Sequence, residues 1–309
     1  MKAPQPFQYQ GSKRLLAATI LRYLPSGMPR LVEPFAGSAA LSIACALKGS
    51  AARYWLNDCN QPLAELLRQI IHHPEKVADA YQSFWRDQSE MALTHYYCVR
   101  EDFNRTRDPF LLLYLLARCV KGAVRYNANG LFNQSPDKRR LGTRPQTLRH
   151  NLMAVSTLLC GRALVTARDY HEVLVDCQPT DVVYMDPPYQ GVCGERDARY
   201  FSGIVFEDFV DALTQLNERG IRFLLSYDGR LGGQHYGKAL PAALDLTHVE
   251  IKAGRSAQAT LLGRNAMTME SIYLSRSLAE EINLGANMHN LARGQQKIPS
   301  SLFSPALPI

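Results

Sequence analysis

The fold class predicted for this chain is α/β, a doubly wound parallel sheet, on three observations. Short apolar runs near 30–35, 53–57, 163–167, 182–186 and 221–227 alternate with helix-period segments near 38–48, 61–71, 144–160 and 207–219. The first run passes into small residues, Gly37-Ser38-Ala39-Ala40, and then into a helix. Asp58 stands 21 residues beyond Gly37, just after the second run, a spacing that brings a carboxylate on one strand end beside a strand-to-helix turn. With 309 residues, 46% of them hydrophobic, the chain can bury one large core, or one core with a lobe.

The elements follow in order. Leu31-Val32-Glu33-Pro34-Phe35 forms the first strand and its exit, and the small residues after it let a ligand approach the backbone. Tyr54-Trp55-Leu56-Asn57 is the second strand; Asp58 at its end is placed where ribose hydroxyls need an acceptor, which describes a nucleoside site, though not specifically a dinucleotide one. Residues 60–160 interrupt the alternation with helical patterns at 76–88, 92–104 and 109–121 and a Gly- and Asn-rich loop at 122–143. Ligands in doubly wound sheets bind at the carboxyl ends of the strands, so this helical lobe is expected on the active-site side. Asp181–Met185 reads as a buried strand, and Leu246–Ile251 with Thr268–Leu274 as an antiparallel edge hairpin. The loop inside that hairpin, with Gly254-Arg255-Ser256 and Gly263-Arg264-Asn265, and the loop near 190–203 flank the site. After Ser275 the composition turns to Gly, Asn, Gln, Pro and Ser, the make-up of a flexible tail. The expected organisation is a catalytic domain of 1–59 and 160–277, a helical insertion of 60–159 and a tail of 278–309.

The buried strand runs into Asp186-Pro187-Pro188-Tyr189, whose residue types suit methylation of an amino group. An exocyclic amino group is a poor nucleophile because its lone pair is delocalised into the ring. Two acceptors aimed at its hydrogens localise that pair: the Asp186 carboxylate is one, and the Pro187 carbonyl, held by two residues of fixed φ, is the other. Tyr189 offers a face on which a base can stack. A base inside a duplex must be flipped out to reach such a loop. By itself the tetrapeptide also reads as a Pro-Pro turn after a strand.

Charge is unevenly placed. Residues 118–149 carry eight basic side chains (Arg118, Lys121, Arg125, Lys138, Arg139, Arg140, Arg144, Arg149) and one acid, Asp137, which accounts for the whole net charge of +7. Tyr126, Asn127, Asn129, Asn133 and Gln134 are interleaved with them, as expected of a nucleic-acid-binding segment. The seven cysteines (45, 59, 98, 119, 160, 177 and 193) are scattered, with no C-x-x-C pair, and the eight histidines include one adjacent pair, His72-His73, without cysteines at zinc spacing. These read as reduced thiols in a cytoplasmic protein with no metal site. No run is long enough to span a bilayer, and the N-terminus lacks a secretory h-region.

Five stretches, in order over roughly residues 7–275, resemble the Dam-like family of adenine-specific DNA methyltransferases, which use S-adenosylmethionine. Phe7-Gln8-Tyr9-Gln10-Gly11-Ser12-Lys13 looks like the segment that closes over the methionine end of the donor. Glu33 to Ala40 is similar to the donor-binding turn, with Asp58 at the ribose-binding acid. Arg125-Tyr126-Asn127 with Gly130, Phe132 and Asn133 resembles a DNA-contacting stretch, Asp169-Tyr170 the pair that brackets the donor adenine, and Asp186 to Tyr189 the catalytic loop. The resemblance implies a Rossmann-like methyltransferase sheet with an inserted helical DNA target-recognition domain. It implies donor contacts from Tyr9, Lys13, Pro34, Phe35, Gly37, Ser38, Asp58, Asp169, Tyr170 and Asp186, and catalysis by Asp186, Pro187, Pro188 and Tyr189. DNA contacts are expected from Lys121, Arg125, Asn127, Asn133, Lys138, Arg139 and Arg140.

The expected function is transfer of a methyl group from S-adenosyl-L-methionine to N6 of a flipped adenine in double-stranded DNA, with a cognate restriction endonuclease or other defence-system protein as a further partner. The chain departs from the family at Ala39, where a second glycine is common, and at Tyr9, where tryptophan is common. It departs also at Val120, Lys121 and Ala123, where members that read GATC have Tyr, Asn and Leu, which leaves the target sequence open. The alternatives are a cytosine-N4 or RNA amino methyltransferase, a protein methyltransferase with a related loop, and a catalytically silent DNA-binding protein.

Overall fold

The computed structural model describes residues 3–88, 91–188, 204–231, 234–236, 238–255 and 267–283. Among them eight strands form one sheet: β1 Met28–Glu33, β2 Ala51–Asn57, β3 Ala163–Thr166, β4 Asp181–Met185, β5 Arg222–Leu231, β6 Gln234–Tyr236, β7 Thr247–Arg255 and β8 Met267–Leu274. The helices are α1 Ala17–Ile20, α2 Ala40–Lys48, α3 Gln61–His72, α4 Pro74–Asp87, α5 Ala92–Thr106, α6 Pro109–Arg118, α7 Pro145–Leu159, α8 Tyr170–Val175 and α9 Phe206–Glu218, and a further helical stretch at 276–283 follows β8.

The strand order is β3-β2-β1-β4-β5-β8-β7, with β6 paired to β5 off this path. β3, β2, β1, β4 and β5 are mutually parallel, whereas β8 runs antiparallel to both β5 and β7. The chain winds outward from β1 to β3, then returns to place β4 on the other side of β1. That reversal opens a crevice at the carboxyl ends of β1 and β4, the switch point where doubly wound sheets hold ligands.

Alternation along the central strands builds a core on each face, as the pleat requires. Leu31, Leu56, Val182, Tyr184 and Leu224 face one layer, which continues through α2 to α7, while Val32, Trp55, Val183, Met185 and Phe223 face the other, covered by α8 and α9. The first layer is continuous from β1 to the helices of the insertion, including Leu112 to Leu116 of α6 and the loop residues Tyr126 and Phe132. The helical segment therefore shares its core with the sheet.

Three differences from the sequence reading have local causes. The pattern at 109–121 ends as a helix at Arg118: Cys119 is extended (φ −78°, ψ 161°), and Lys121 and Gly122 are left-handed (φ 61° and 62°). The short α1, α8 and β6 are not expected from the sequence, each too short for periodicity to register. The segment expected as a tail from 278 begins inside a helical stretch, 276–283, in which Leu278 is fully buried and the Ser275 hydroxyl accepts from Leu278 N at 3.3 Å. Arg222 pairs with Glu281 at 2.8 Å across this junction. One apolar residue per turn was too weak a signal in a polar composition. The rest of the expected tail, and the loops at 190–203 and 256–266, lie outside the described residues.

Candidate active site

The strand-to-helix turn after β1 is shaped by two left-handed residues, Gly37 (φ 50°) and Ala39 (φ 53°). A Cβ on Gly37 would lie 2.8 Å from Cε1 of Tyr9, so the Tyr9 ring lies directly against the bare backbone. Ala39 holds a conformation that disfavours a side chain by about 1–2 kcal/mol. It is kept there by full burial, by its N–H donating to Ala36 O at 2.6 Å, and by its carbonyl accepting from Ile43 N at 2.9 Å. The turn thus survives the absence of the second glycine. Ser12 from the N-terminal segment and Ser38 from the turn meet hydroxyl to hydroxyl at 3.0 Å.

Three carboxyl groups lie around this turn. Glu33, 2% exposed, accepts from Ser42 N in the first turn of α2 at 2.7 Å, and burial pushes its pKa up to about 7. Asp58 accepts from Gly37 N and from Asn60 N, both at 3.0 Å; burial, incompletely offset by these two hydrogen bonds, lifts it to about 6. Both acids sit in places where ionisation is costly. Asp169 caps α8, accepting from His171 N at 2.9 Å. Beside it the Tyr170 ring packs on Phe35, centroids 5.2 Å apart, and its hydroxyl is buried with no hydrogen-bond partner among the described residues.

Asn57, 1% exposed, ties the strand ends together. Its amide donates to Pro34 O at 3.0 Å and to Arg168 O at 2.9 Å, and its carbonyl accepts from Thr166 Oγ1 at 2.7 Å and from Arg168 N at 2.9 Å. It thereby fixes the β1 exit against the loop that carries Asp169. In the sequence it was indistinguishable from an ordinary strand-end polar residue.

Asp186 leaves the end of β4 and meets Lys13 at 3.0 Å; the same ammonium meets Glu270 of β8 at 2.8 Å. Burial alone would lower the lysine pKa, but Asp186 and Glu270 outweigh it and hold the ammonium charged. The lysine thus draws together the N-terminal segment, the loop that begins at Asp186 and β8. Glu270 escaped the sequence reading because only the antiparallel return of β8 beside β5 brings it there.

Every donor-site residue named from the sequence, from Tyr9, Lys13, Pro34, Phe35, Gly37 and Ser38 to Asp58, Asp169, Tyr170 and Asp186, lines one cleft of about 250 Å³, together with Pro187 and Pro188. Tyr189 lies outside the described residues. Asn60, His171 and Asp208 also line the cleft.

The basic segment divides. Tyr126 and Phe132 pair across an isolated antiparallel bridge that closes a short hairpin and are buried, whereas Arg125 and Asn133 on its two arms are exposed and adjacent, Asn133 N donating to Arg125 O at 2.9 Å. Asn127 shapes the turn between them, its Oδ1 accepting from Asn129 N at 3.0 Å and Leu131 N at 2.9 Å; only the rest of its amide can face a ligand. Lys121, Lys138, Arg139 and Arg140 are exposed. Arg118, counted with them in the sequence, is 1% exposed and donates to the carbonyls of Asp137 and Arg140, so it is the internal post on which the 137–140 loop hangs. Arg149 pairs with Asp79. Charge counting could not separate these two from the surface set.

Among the described residues no group of three His, Cys, Asp or Glu side chains is placed to hold a metal ion, six cysteines are free, and no helix is long and apolar enough to cross a membrane.

Over 273 residues, 81% of this chain and 84% of the relative, the chain is 29% identical to the retron Ec67 DNA adenine methylase of Escherichia coli. It is 27% identical over 233 residues to the DNA N-6-adenine-methyltransferase of Escherichia phage P1, covering 72% of this chain but 29% of that longer protein. It is 24% identical over 238 residues to the type II methyltransferase M1.LlaDCHI of Lactococcus lactis subsp. cremoris, covering 72% and 80% of the two chains. The model of one family matches residues 9–278, from the Tyr9 segment to the helix after β8, and by that match the chain belongs to the D12 class N6 adenine-specific DNA methyltransferases.

Proposed function

We propose that this protein transfers a methyl group from S-adenosylmethionine to the exocyclic N6 of an adenine flipped out of duplex DNA. Family membership makes the protein a methyltransferase with adenine in DNA as its acceptor. The observation that carries the site assignment is the convergence, at one switch point, of the Gly37 turn, the Asp58 carboxyl and the Asp186 loop.

The cleft suits the donor. Asp58 is an acceptor awaiting hydroxyl donors, the bare backbone of Gly37 lets the Tyr9 ring close on the turn as one wall of the cleft, and the Phe35 and Tyr170 rings with Asp169 offer a face and an acceptor to an adenine. When bound, S-adenosylmethionine supplies an electrophilic methyl group on a sulfonium. Asp186 accepts a hydrogen bond from the adenine amino group and localises its lone pair; Lys13, held by Glu270, fixes that carboxylate. The amino nitrogen so activated would accept that methyl group as the donor's carbon–sulfur bond breaks to leave a neutral thioether, and its surplus proton would pass to water. Positioning and preorganised charge supply the acceleration. Arg125 and Asn133 face the bases, while Lys121, Lys138, Arg139 and Arg140 face phosphates. We place the enzyme in the cytoplasm, where its substrate is. The likeness to a type II methyltransferase favours a restriction endonuclease as a functional counterpart.

Expression in a host lacking DNA methylation, followed by nucleoside analysis and single-molecule sequencing, tests the proposal. N6-methyladenine at a defined site supports it. N4-methylcytosine, or methylation of RNA alone, would replace the acceptor, and absence of methylation with failure to bind the donor would leave a silent DNA-binding protein.

A further inference from the structure

We propose that Asn60 and Tyr126 are positioning residues that fasten the DNA-reading hairpin to the donor site, so that donor and DNA bind cooperatively. Asn60 is 3% exposed and occupies the N-cap of α3, yet its side chain makes no capping bond. An asparagine at that position ordinarily bonds the first turn of its helix. Here the carbonyl of the side chain accepts from the Tyr126 hydroxyl at 3.2 Å, and the backbone N–H of the same residue donates to Asp58 Oδ1 at 3.0 Å. Asp58 in turn accepts from Gly37 N. The residue beside Arg125 is therefore joined to the ribose-side acid through a single buried asparagine.

A second attachment runs in parallel. Gln10 N donates to Gly122 O at 3.0 Å, and a Cβ on Gly122 would meet the Gln8 backbone at 2.7 Å. The start of the basic segment is thus seated on the N-terminal segment that carries Tyr9 and Lys13. A donor that draws Asp58 and Tyr9 into place also fixes the first arm of the hairpin at two points, and DNA that fixes the hairpin returns the effect with equal magnitude, because coupling between two binding sites is reciprocal.

The inference rests on the reading of Asp58 as the ribose acid and Arg125 as a base reader. Its test uses the full chain, S-adenosylhomocysteine, and a duplex carrying the mapped methylation site. DNA affinity is titrated with and without saturating S-adenosylhomocysteine in the wild type and in Tyr126→Phe, which removes one hydroxyl and keeps the buried ring. The wild type is expected to bind the duplex more tightly with the ligand present. Tyr126→Phe should reduce that enhancement about two- to tenfold, the worth of one hydrogen bond, while leaving each binary affinity within about twofold. Asn60→Ala should act in the same direction. Wild-type DNA affinity indifferent to the ligand, or an enhancement unchanged in Tyr126→Phe, overturns the inference. The underlying reading fails separately, if Asp58→Ala keeps full affinity for S-adenosylhomocysteine or Arg125→Ala keeps full discrimination between cognate and variant DNA.

Discussion

Glu33→Gln isolates the consequence of burying a carboxyl group beneath the donor turn. The folded protein raises this group from its ordinary value of 4.5 to about 7, through burial first and the nearby Asp186 charge to a lesser extent, with the Ser42 hydrogen bond acting in the opposite sense. A raised carboxyl pKa means that the folded state holds the proton more tightly than the unfolded chain does. The associated stability is complete below about pH 4.5 and is lost as pH rises through about 7. At about 1.36 kcal/mol per unit the full effect is about 3 kcal/mol, of which about 2 kcal/mol develops between pH 5 and pH 8. Glutamine keeps an oxygen to accept from Ser42 N and cannot ionise. Urea unfolding should therefore show Glu33→Gln within about 1 kcal/mol of the wild type at pH 5 and more stable by about 3 kcal/mol at pH 8, as a shift in midpoint at constant slope. An equal difference at both pH values would refute the argument that Glu33 is strained by ionisation.

The other expectations concern the donor turn, the ribose acid and the DNA face. Gly37→Ala places a Cβ 2.8 Å from the Tyr9 ring at a left-handed φ; calorimetry should show S-adenosylhomocysteine binding weakened at least tenfold, and unchanged affinity would mean that Tyr9 moves aside freely. Asp58→Asn should weaken the same ligand by about 1.5–3 kcal/mol. Because Asp58 titrates near 6 and ribose hydroxyls favour its charged form, wild-type affinity should rise from pH 5 to pH 7 and then level, a dependence that Asp58→Asn abolishes. Arg139→Ala should weaken all duplexes alike and reduce the salt slope by about one unit. Arg125→Ala should instead lower discrimination against a one-base variant by about 1–3 kcal/mol, and an equal loss on both duplexes would make it a phosphate contact.

Much of this architecture was legible in the chain because its signals are local. The central strands are apolar on both faces, as buried parallel strands must be, and a glycine turn followed by an acid one strand later fixes a nucleoside-sized crevice whatever the rest of the fold does. What was hidden depends on pairing between distant segments. Glu270 reaches Lys13 only through the antiparallel return of β8, and Asn57 becomes a joint only when β3 ends beside β2. Charge counting gave Arg118 the same weight as Arg139, although one is sealed beneath a loop and the other lies in solvent. The end of α6 was misplaced by three residues because Val120 continues the apolar pattern, whereas its N–H bonds to Ser135 O and turns the chain toward the hairpin.

The central claim is that Asp186 localises the lone pair of an adenine amino group bound beside the donor. Steady-state methylation of the mapped duplex by Asp186→Ala, with N6-methyladenine quantified and S-adenosylhomocysteine affinity measured in parallel, tests it most directly. In that variant kcat should fall at least about a hundredfold while donor-site affinity stays within a few fold. Near-normal turnover, or a loss explained wholly by weaker donor binding, would contradict it.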